Sequence, residues 1–228
     1  MRSSPDVTSA AEAESAPARA ERRSQEERRG QAEQSLLDAA VVLFARRGVD
    51  QTSLADIGKE AGYSRGLVNH HFGAKATLVE RLAHRSQGDF VARLGEFDGD
   101  EVDALVMLAD AYLNKKGLKI DVARAFFVMW GAALPAEAAL REVMAAGDAQ
   151  FRIAVESLVR LGQQNNTVAA DVDASGVATV LVGMLRGVTA QFLIDADGVD
   201  LAAARTACEQ FLRRTLTPRS ASPNKRRQ

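Results

Sequence analysis

Apolar residues recur at helical spacing from about residue 31 to residue 216. Near the start of this region Leu36, Ala40 and Leu43 stand at i, i+4 and i+7, and Phe44 follows at i+8. This spacing places the four side chains on one face of an α-helix. The sequence contains no sustained alternation of apolar and polar residues, which is the pattern of a half-buried strand. The pattern therefore predicts an all-α fold.

Glycines and capping residues predict where the helices begin and end. Gly48 ends the first helix, and Gly62 followed by the N-cap residue Ser64 separates two short helices. A fourth helix is predicted from residue 74 towards residue 93. Five more helices are predicted at residues 101–116, 119–133, 136–163, 173–195 and 200–216.

Composition divides the chain into four segments. Residues 1–30 mix acidic and basic side chains without an apolar period and are expected to form a disordered arm. Residues 217–228 are expected to be a basic disordered tail. The acidic stretch 95–103, which contains two glycines, predicts a boundary between an N-terminal domain at 31–93 and a C-terminal helical domain at 94–216.

The segment most informative about function is residues 52–75, TSLADIGKEAGYSRGLVNHHFGAK. Two short helices joined by a tight turn that contains glycine form a helix-turn-helix, whose second helix can lie in the major groove of DNA. Local charge supports this interpretation, although the net charge of the whole chain is −1. Residues 46–85 carry seven Lys and Arg against four Asp and Glu, whereas residues 86–212 carry ten against eighteen.

Residues 33–85 resemble the TetR-type bacterial regulators. The shared features begin with the end of the first helix and continue through the helix-turn-helix to the start of the fourth helix. They are Leu43-Phe44-Ala45 with Gly48, Thr52-Ser53, Asp56-Ile57, Ala61-Gly62, Ser64 with Gly66, His70-His71-Phe72 and Lys75. The resemblance implies a dimer that binds double-stranded operator DNA through three N-terminal helices. It also implies a fourth helix that leads to a C-terminal helical domain for ligand binding and dimerisation.

The same resemblance implies a role for each residue of the helix-turn-helix. Thr52 and Ser53 are expected to meet phosphate, and Lys75 is expected to anchor another phosphate. Four residues at the start of the recognition helix are expected to lie nearest the base edges: Ser64, Arg65, Gly66 and Leu67. Asn69 stands where the family usually has Tyr, and it can bind a phosphate or read adenine.

Two of these residues, His71 and Leu67, have alternative interpretations. His70 and His71 occupy positions that often contact the DNA backbone in the family, but His71 falls on the apolar side of its helix. It is equally compatible with a histidine packed in the core. Leu67 can contact a thymine methyl or pack against the fourth helix.

Large apolar side chains are concentrated in the C-terminal region. A candidate site for a small-molecule effector consists of Met107, Phe126, Phe127, Met129, Trp130 and Phe151. Side chains of this kind can equally form ordinary core.

Small residues along one side of the helix at 173–195 predict a dimer interface, because they let a partner backbone approach closely. The predicted interface consists of Gly176, Val180, Gly183, Gly187 and Ala190, together with Cys208, Phe211 and Leu212 of the following helix. The glycines could instead pack within one subunit or merely be exposed.

Other classes of function lack support in the sequence. Residues 62–66 match G-x-S-x-G, but a helix precedes them and no histidine follows His84, so we do not expect an enzyme. The three histidines lack metal-ligand spacing, and we expect neither a metal nor a cofactor. The single cysteine fits a reducing compartment, and no N-terminal secretory signal is present. An arginine at the centre of the longest apolar stretch argues against a membrane span.

The sequence thus predicts a cytoplasmic, DNA-binding transcriptional regulator, a repressor that a small molecule releases from its operator. The alternative is a DNA-binding protein of the same fold without a small-molecule effector, controlled by a protein partner or by its own concentration.

Overall fold

The computed structural model describes residues 16–91, 99–114, 117–135 and 140–218. Within these ranges the chain forms α-helices and no strand, which confirms the all-α prediction. The helices are α1 (Ala16–Arg47), α2 (Leu54–Ala61), α3 (Arg65–Phe72), α4 (Lys75–Val91), α5 (Glu101–Tyr112), α6 (Ile120–Ala132), α7 (Arg141–Asn165), α8 (Ala174–Ile194) and α9 (Leu201–Leu216).

Helix α1 begins earlier than the sequence pattern indicates. The prediction of a disordered arm is wrong for residues 16–30, which form the first turns of α1. This segment is rich in Ala, Glu and Arg, which favour helix even without an apolar face. Residues 25–31 are all exposed, and Ala32 is the first buried residue whose side chain the structure describes. The expectations for residues 1–15 and 219–228 fall outside the described part of the chain.

One apolar core joins the DNA-binding helices to part of the regulatory region. It contains buried residues of α1 to α4, such as Phe44, Ile57 and Leu78, together with Phe126 and Met129 of α6. Helix α6 packs against both α1 and α4, and α7 packs against α4. A displacement of α6 or α7 would therefore be transmitted to α1 and α4, which pack against the helix-turn-helix.

A second core lies among α5, α7, α8 and α9. Leu105 of α5, Val155 of α7, Leu181 of α8 and Leu212 of α9 are fully buried in it. Because α7 contributes to both cores, it connects the two ends of the molecule.

Helix α8 has the length and composition of a membrane span, with a mean hydropathy of 1.7 over its most apolar window. Within the described residues, however, Arg186 near its middle is 7% exposed and pairs with Asp148 of α7. Helix α8 packs against α6, α7 and α9. These contacts place one side of α8 inside a folded helical domain and leave the other side exposed.

Candidate nucleic-acid interface

The N-terminus of α2 is fixed by a reciprocal cap. The Ser53 hydroxyl oxygen accepts a hydrogen bond from the Asp56 backbone N–H at 3.1 Å, and the Ser53 backbone N–H donates to Asp56 Oδ2 at 3.0 Å. Hydrogen bonds from Ser53 hold the pKa of Asp56 below its usual value. Ser53 remains exposed, so this helix start faces solvent.

The turn between α2 and α3 depends on two glycines. Gly62 has a φ of 77°, a left-handed conformation that glycine adopts without strain. At Gly58 a Cβ atom would lie 2.9 Å from Val68 Cγ2 and 3.0 Å from the Tyr63 carbonyl oxygen. The close approach of α2 to α3 therefore requires glycine at position 58. The sequence analysis did not identify this role, although a glycine inside a short helix was the available signal.

Helix α3 has one buried side and one polar side. Ser64 caps its start by accepting the Leu67 backbone N–H at 3.3 Å. Val68, His71 and Phe72 are buried, and the opposite side is exposed at Arg65, Gly66, Asn69 and His70. Leu67 is half-buried. The residues predicted to read DNA thus lie on the accessible side of α3.

A cleft of about 500 Å³, here called the Lys75 cleft, lies beside α3. It brings together Ser53 at the start of α2, Arg65 and Asn69 of α3, and Lys75 at the start of α4. The Lys75 ammonium approaches the Asp50 carbonyl oxygen at 3.5 Å. The start of α2 and the Lys75 ammonium form a suitable seat for a phosphate beside the exposed Arg65 side chain.

Two of the residues predicted to contact phosphate are buried. Thr52 is 1% exposed, and its hydroxyl donates to the Gly48 carbonyl oxygen at 2.8 Å, so its side chain holds the turn before α2. His71 is 8% exposed and belongs to the core side of α3. Burial lowers the pKa of His71 and favours the neutral ring. Its burial therefore favours the packed interpretation, although His71 also lines a cleft together with His70 of α3.

The six residues predicted as an effector site lie in different environments. Met107 is 53% exposed, Phe126 and Met129 are buried in the first core, and Phe151 lies in the second core. Phe127 and Trp130 are half-buried against the first core. Helical spacing shows which side chains are apolar without showing which core each one joins, and the structure divides the predicted site among these environments.

A buried polar cluster, the Asp148 cluster, lies next to these aromatic rings. Asp148 accepts a hydrogen bond from Trp130 Nε1 at 3.2 Å and pairs with Arg186 Nη1 at 2.5 Å. The Arg186 guanidinium lies 5.3 Å from the centre of the Phe126 ring. Arg186 Nε is buried and has no partner among the described residues. The available signal for this cluster was the arginine within an apolar stretch, which the sequence analysis used only to exclude a membrane span.

The predicted dimer interface is divided by the structure. Cys208 and Leu212 are buried in the second core, so they pack within the subunit and cannot form the interface. Gly183 and Gly187 are exposed, with no atom within 4 Å of the position of a Cβ. The remaining predicted residues lie near the surface: Val180 and Phe211 are exposed, and Gly176 and Ala190 are half-buried. The predicted interface residues that remain at the surface form a strip on α8 and α9. They are Gly176, Val180, Gly183, Gly187, Ala190 and Phe211.

Comparison with known proteins agrees with this architecture. Residues 36–82 match the bacterial regulatory proteins of the tetR family, and residues 101–217 match the C-terminal domain of BetI-type transcriptional repressors. The chain is 44% identical over 73 residues to the regulator TtgR of Pseudomonas putida, a match that covers 31% of the chain and 34% of that protein. Over 194 residues it is 26% identical to the regulator BetI of Vibrio atlanticus, covering 80% of the chain and 90% of that protein.

Solved structures show the same fold. A TetR-family regulator from Rhodococcus sp. aligns with a TM-score of 0.74 at 18% identity, covering 82% of this chain and all of that one. A regulator from Saccharomonospora viridis, solved in complex with choline, aligns with a TM-score of 0.69 at 24% identity and covers 83% of this chain and all of the other.

The helix-turn-helix with its exposed recognition face, followed by a helical C-terminal region, defines a DNA-binding transcriptional regulator. More specifically, the chain belongs to the tetR family of bacterial regulatory proteins, and its C-terminal region is of the BetI type.

Proposed function

We propose that this regulator is a homodimeric repressor that holds an operator through α3 and leaves it when a small molecule binds the C-terminal helices. The observation that carries the proposal is the Lys75 cleft beside the exposed side of α3. In that cleft Arg65, Asn69 and Lys75 meet the start of α2. Arg65 and Asn69 supply groups that can reach base edges, and Lys75 supplies charge for a phosphate.

Dimerisation follows from the strip on α8 and α9. The open space at Gly183 and Gly187, together with exposed Val180 and Phe211, offers a surface that a second copy can approach closely. Packing of α8 and α9 from two subunits would form a four-helix interface. Two recognition helices related by a two-fold axis then match an operator with two half-sites.

Effector response is supported by the position of α6. Phe126 and Met129 of this helix lie in the core shared with α1 to α4, while Trp130 is bonded to Asp148 of α7. A small molecule that rearranges the Asp148 cluster would shift α6, and α6 packs directly on α1 and α4. The choline complex of the neighbour from Saccharomonospora viridis supports a small-molecule ligand for this fold. It does not identify the ligand of this chain.

DNA binding is tested by comparing Lys75→Ala with Arg65→Ala in operator titrations at several salt concentrations. Lys75→Ala is expected to weaken binding to all sequences alike. It should also lower the slope of log K against log salt by about one for each Lys75 phosphate contact that is lost. Arg65→Ala is expected to relax discrimination at one base position, at a cost of about 1–3 kcal/mol. Unchanged affinity in both variants would contradict the assignment of α3 and the Lys75 cleft.

The effector is tested by a ligand screen that includes choline, with the fluorescence of Trp130, the single tryptophan, as the readout. A ligand that changes this signal is expected to weaken operator binding as well. If no compound alters either quantity, the protein is a DNA-binding regulator without a small-molecule effector, controlled by a partner or by its own concentration.

A further inference from the structure

The first turns of α1 extend well beyond the core of the DNA-binding helices. Residues 16–31 precede the first described buried position, Ala32, and 16 residues of helix span about 24 Å. Residues 25–31 bury no side chain. Packing therefore does not explain why residues 25–31 form a helix, and their side chains are accessible to a binding partner.

This part of α1 lies beside the recognition helix. A second cleft of about 420 Å³, here called the Arg29 cleft, is formed between the two helices. Its α1 side includes Arg28, Arg29 and Ala32, and its other side includes Leu67 and His70 of α3. The two guanidinium groups therefore lie next to residues of the helix that faces DNA.

The two clefts lie on opposite flanks of α3. Arg65 and Asn69 line the Lys75 cleft, Leu67 and His70 line the Arg29 cleft, and exposed Gly66 lies between these pairs. A helix in the major groove is bordered by two sugar–phosphate backbones, because the groove is only about 12 Å wide. If the Lys75 cleft receives one backbone, the Arg29 cleft faces the other.

The charge in the Arg29 cleft is suited to a sugar–phosphate backbone. Among the side chains that the structure describes, neither Arg28 nor Arg29 forms an ion pair. Two other arginines near α1 are already occupied, since Arg81 pairs with Glu33 and Arg85 pairs with Asp38 at 2.6 Å. Glu26 and Glu33 stand three residues before and four residues after Arg29, so both share its side of α1, and Glu33 is already paired with Arg81. Among the described side chains, the cleft thus offers two guanidinium groups that have no ion-pair partner.

We propose that Arg28 and Arg29 bind the phosphates of the DNA backbone on the flank of α3 opposite Lys75, so that the extended α1 widens the operator footprint. This inference rests on the proposed placement of α3 in the major groove. It assigns to residues outside the helix-turn-helix a second, sequence-independent set of contacts.

The test compares the full-length protein with Arg28→Ala/Arg29→Ala in operator titrations at several salt concentrations. Alanine preserves the helix, so the change removes charge and not structure. Each phosphate contact contributes about 0.9 to the slope of log K against log salt. Loss of two contacts in each of two subunits is expected to lower the slope by about 2–4 and to weaken binding in low salt by more than about tenfold.

Two further variants make the result specific. Arg28→Lys/Arg29→Lys keeps the charge and is expected to retain most of the slope. Arg152→Ala/Arg160→Ala removes the same charge from α7, outside both clefts and the strip on α8 and α9, and is expected to leave the slope unchanged. An equal loss in this control pair would assign the effect to net charge and overturn the proposal.

Operator binding by the wild-type protein distinguishes a failure of this inference from a failure of the proposed function. If the wild type binds its operator and Arg28→Ala/Arg29→Ala binds with the same slope, the role of the α1 extension is refuted while the proposed function stands. If the wild type binds no DNA sequence with preference, the proposed function itself fails.

Discussion

Replacing Arg186 with methionine provides a sensitive test of how the C-terminal helices are held together. The Arg186 side chain is 9% exposed and that of Asp148 is 18% exposed, and Nη1 and Oδ1 are 2.5 Å apart. Methionine fills a similar volume without charge. In Arg186→Met the Asp148 carboxylate loses its ion-pair partner and keeps the hydrogen bond from Trp130 Nε1, while the hydrogen bond between Arg186 and Tyr112 is lost as well.

The magnitude follows from the cost of burying an unpaired charge. Removing one partner of a buried ion pair costs about 3–5 kcal/mol, whereas replacing both partners with apolar residues is often close to neutral. In Arg186→Met/Asp148→Leu the Trp130 N–H loses its acceptor, which costs about 1–3 kcal/mol. We therefore expect the double variant to be more stable than Arg186→Met.

The assay is urea unfolding followed by far-ultraviolet circular dichroism at one fixed protein concentration, because the stability of a dimer depends on concentration. Trp130 fluorescence is unsuitable as the only probe, since its indole contacts the altered group. The reasoning is refuted if Arg186→Met loses less than about 1 kcal/mol, or if the double variant is the less stable of the two.

Three other changes probe the interface region. Gly58→Ala is expected to destabilise the protein by about 1–3 kcal/mol in thermal unfolding, because its Cβ would press on Val68 and the Tyr63 carbonyl. The matched control is Gly66→Ala, whose Cβ would meet Ser64 Oγ at 3.7 Å, and it should not destabilise the protein. Ser53→Ala is expected to lose about 1 kcal/mol through the missing cap, and equal melting temperatures for this variant and the wild type would contradict the capping role. The lowered pKa of Asp56 stabilises the fold above its usual pKa of 3.8, and this contribution disappears as the pH falls through the lowered value. The stability difference between wild type and Asp56→Asn should therefore shrink in acid, and a difference that stays constant with pH would refute the linkage.

Local signals in the sequence were sufficient for the helices and for the recognition face. Gly62 and Ser64 mark a turn and a cap that depend on neighbouring residues only, and both are found as predicted. The exposed side of α3 follows from its period, which places Val68 and Phe72 inside. The early start of α1 has no signal in the apolar period, because residues 25–31 are exposed, and the signal that the sequence does carry is the helix propensity of its Glu and Arg residues.

Contacts between distant helices could not be read from the sequence. In the sequence Thr52 resembles a surface cap residue, but in the folded chain its hydroxyl donates to the Gly48 carbonyl oxygen. The pairing of Asp148 with Arg186 joins residues of two helices, and no periodicity specifies which helices pack together. Cys208 and Leu212 were assigned to the wrong side of α9 because apolar character does not distinguish a subunit core from an interface.

The central claim, that α3 of a two-fold dimer reads an operator, is tested most directly by selecting genomic DNA fragments with the full-length protein and with Arg65→Ala/Asn69→Ala. Both residues are exposed on α3 and line the Lys75 cleft. The account predicts that the wild type enriches an inverted repeat and that the variant loses preference at matching positions in both half-sites. Enrichment of the same sequence by both proteins, or of no sequence by the wild type, would contradict it.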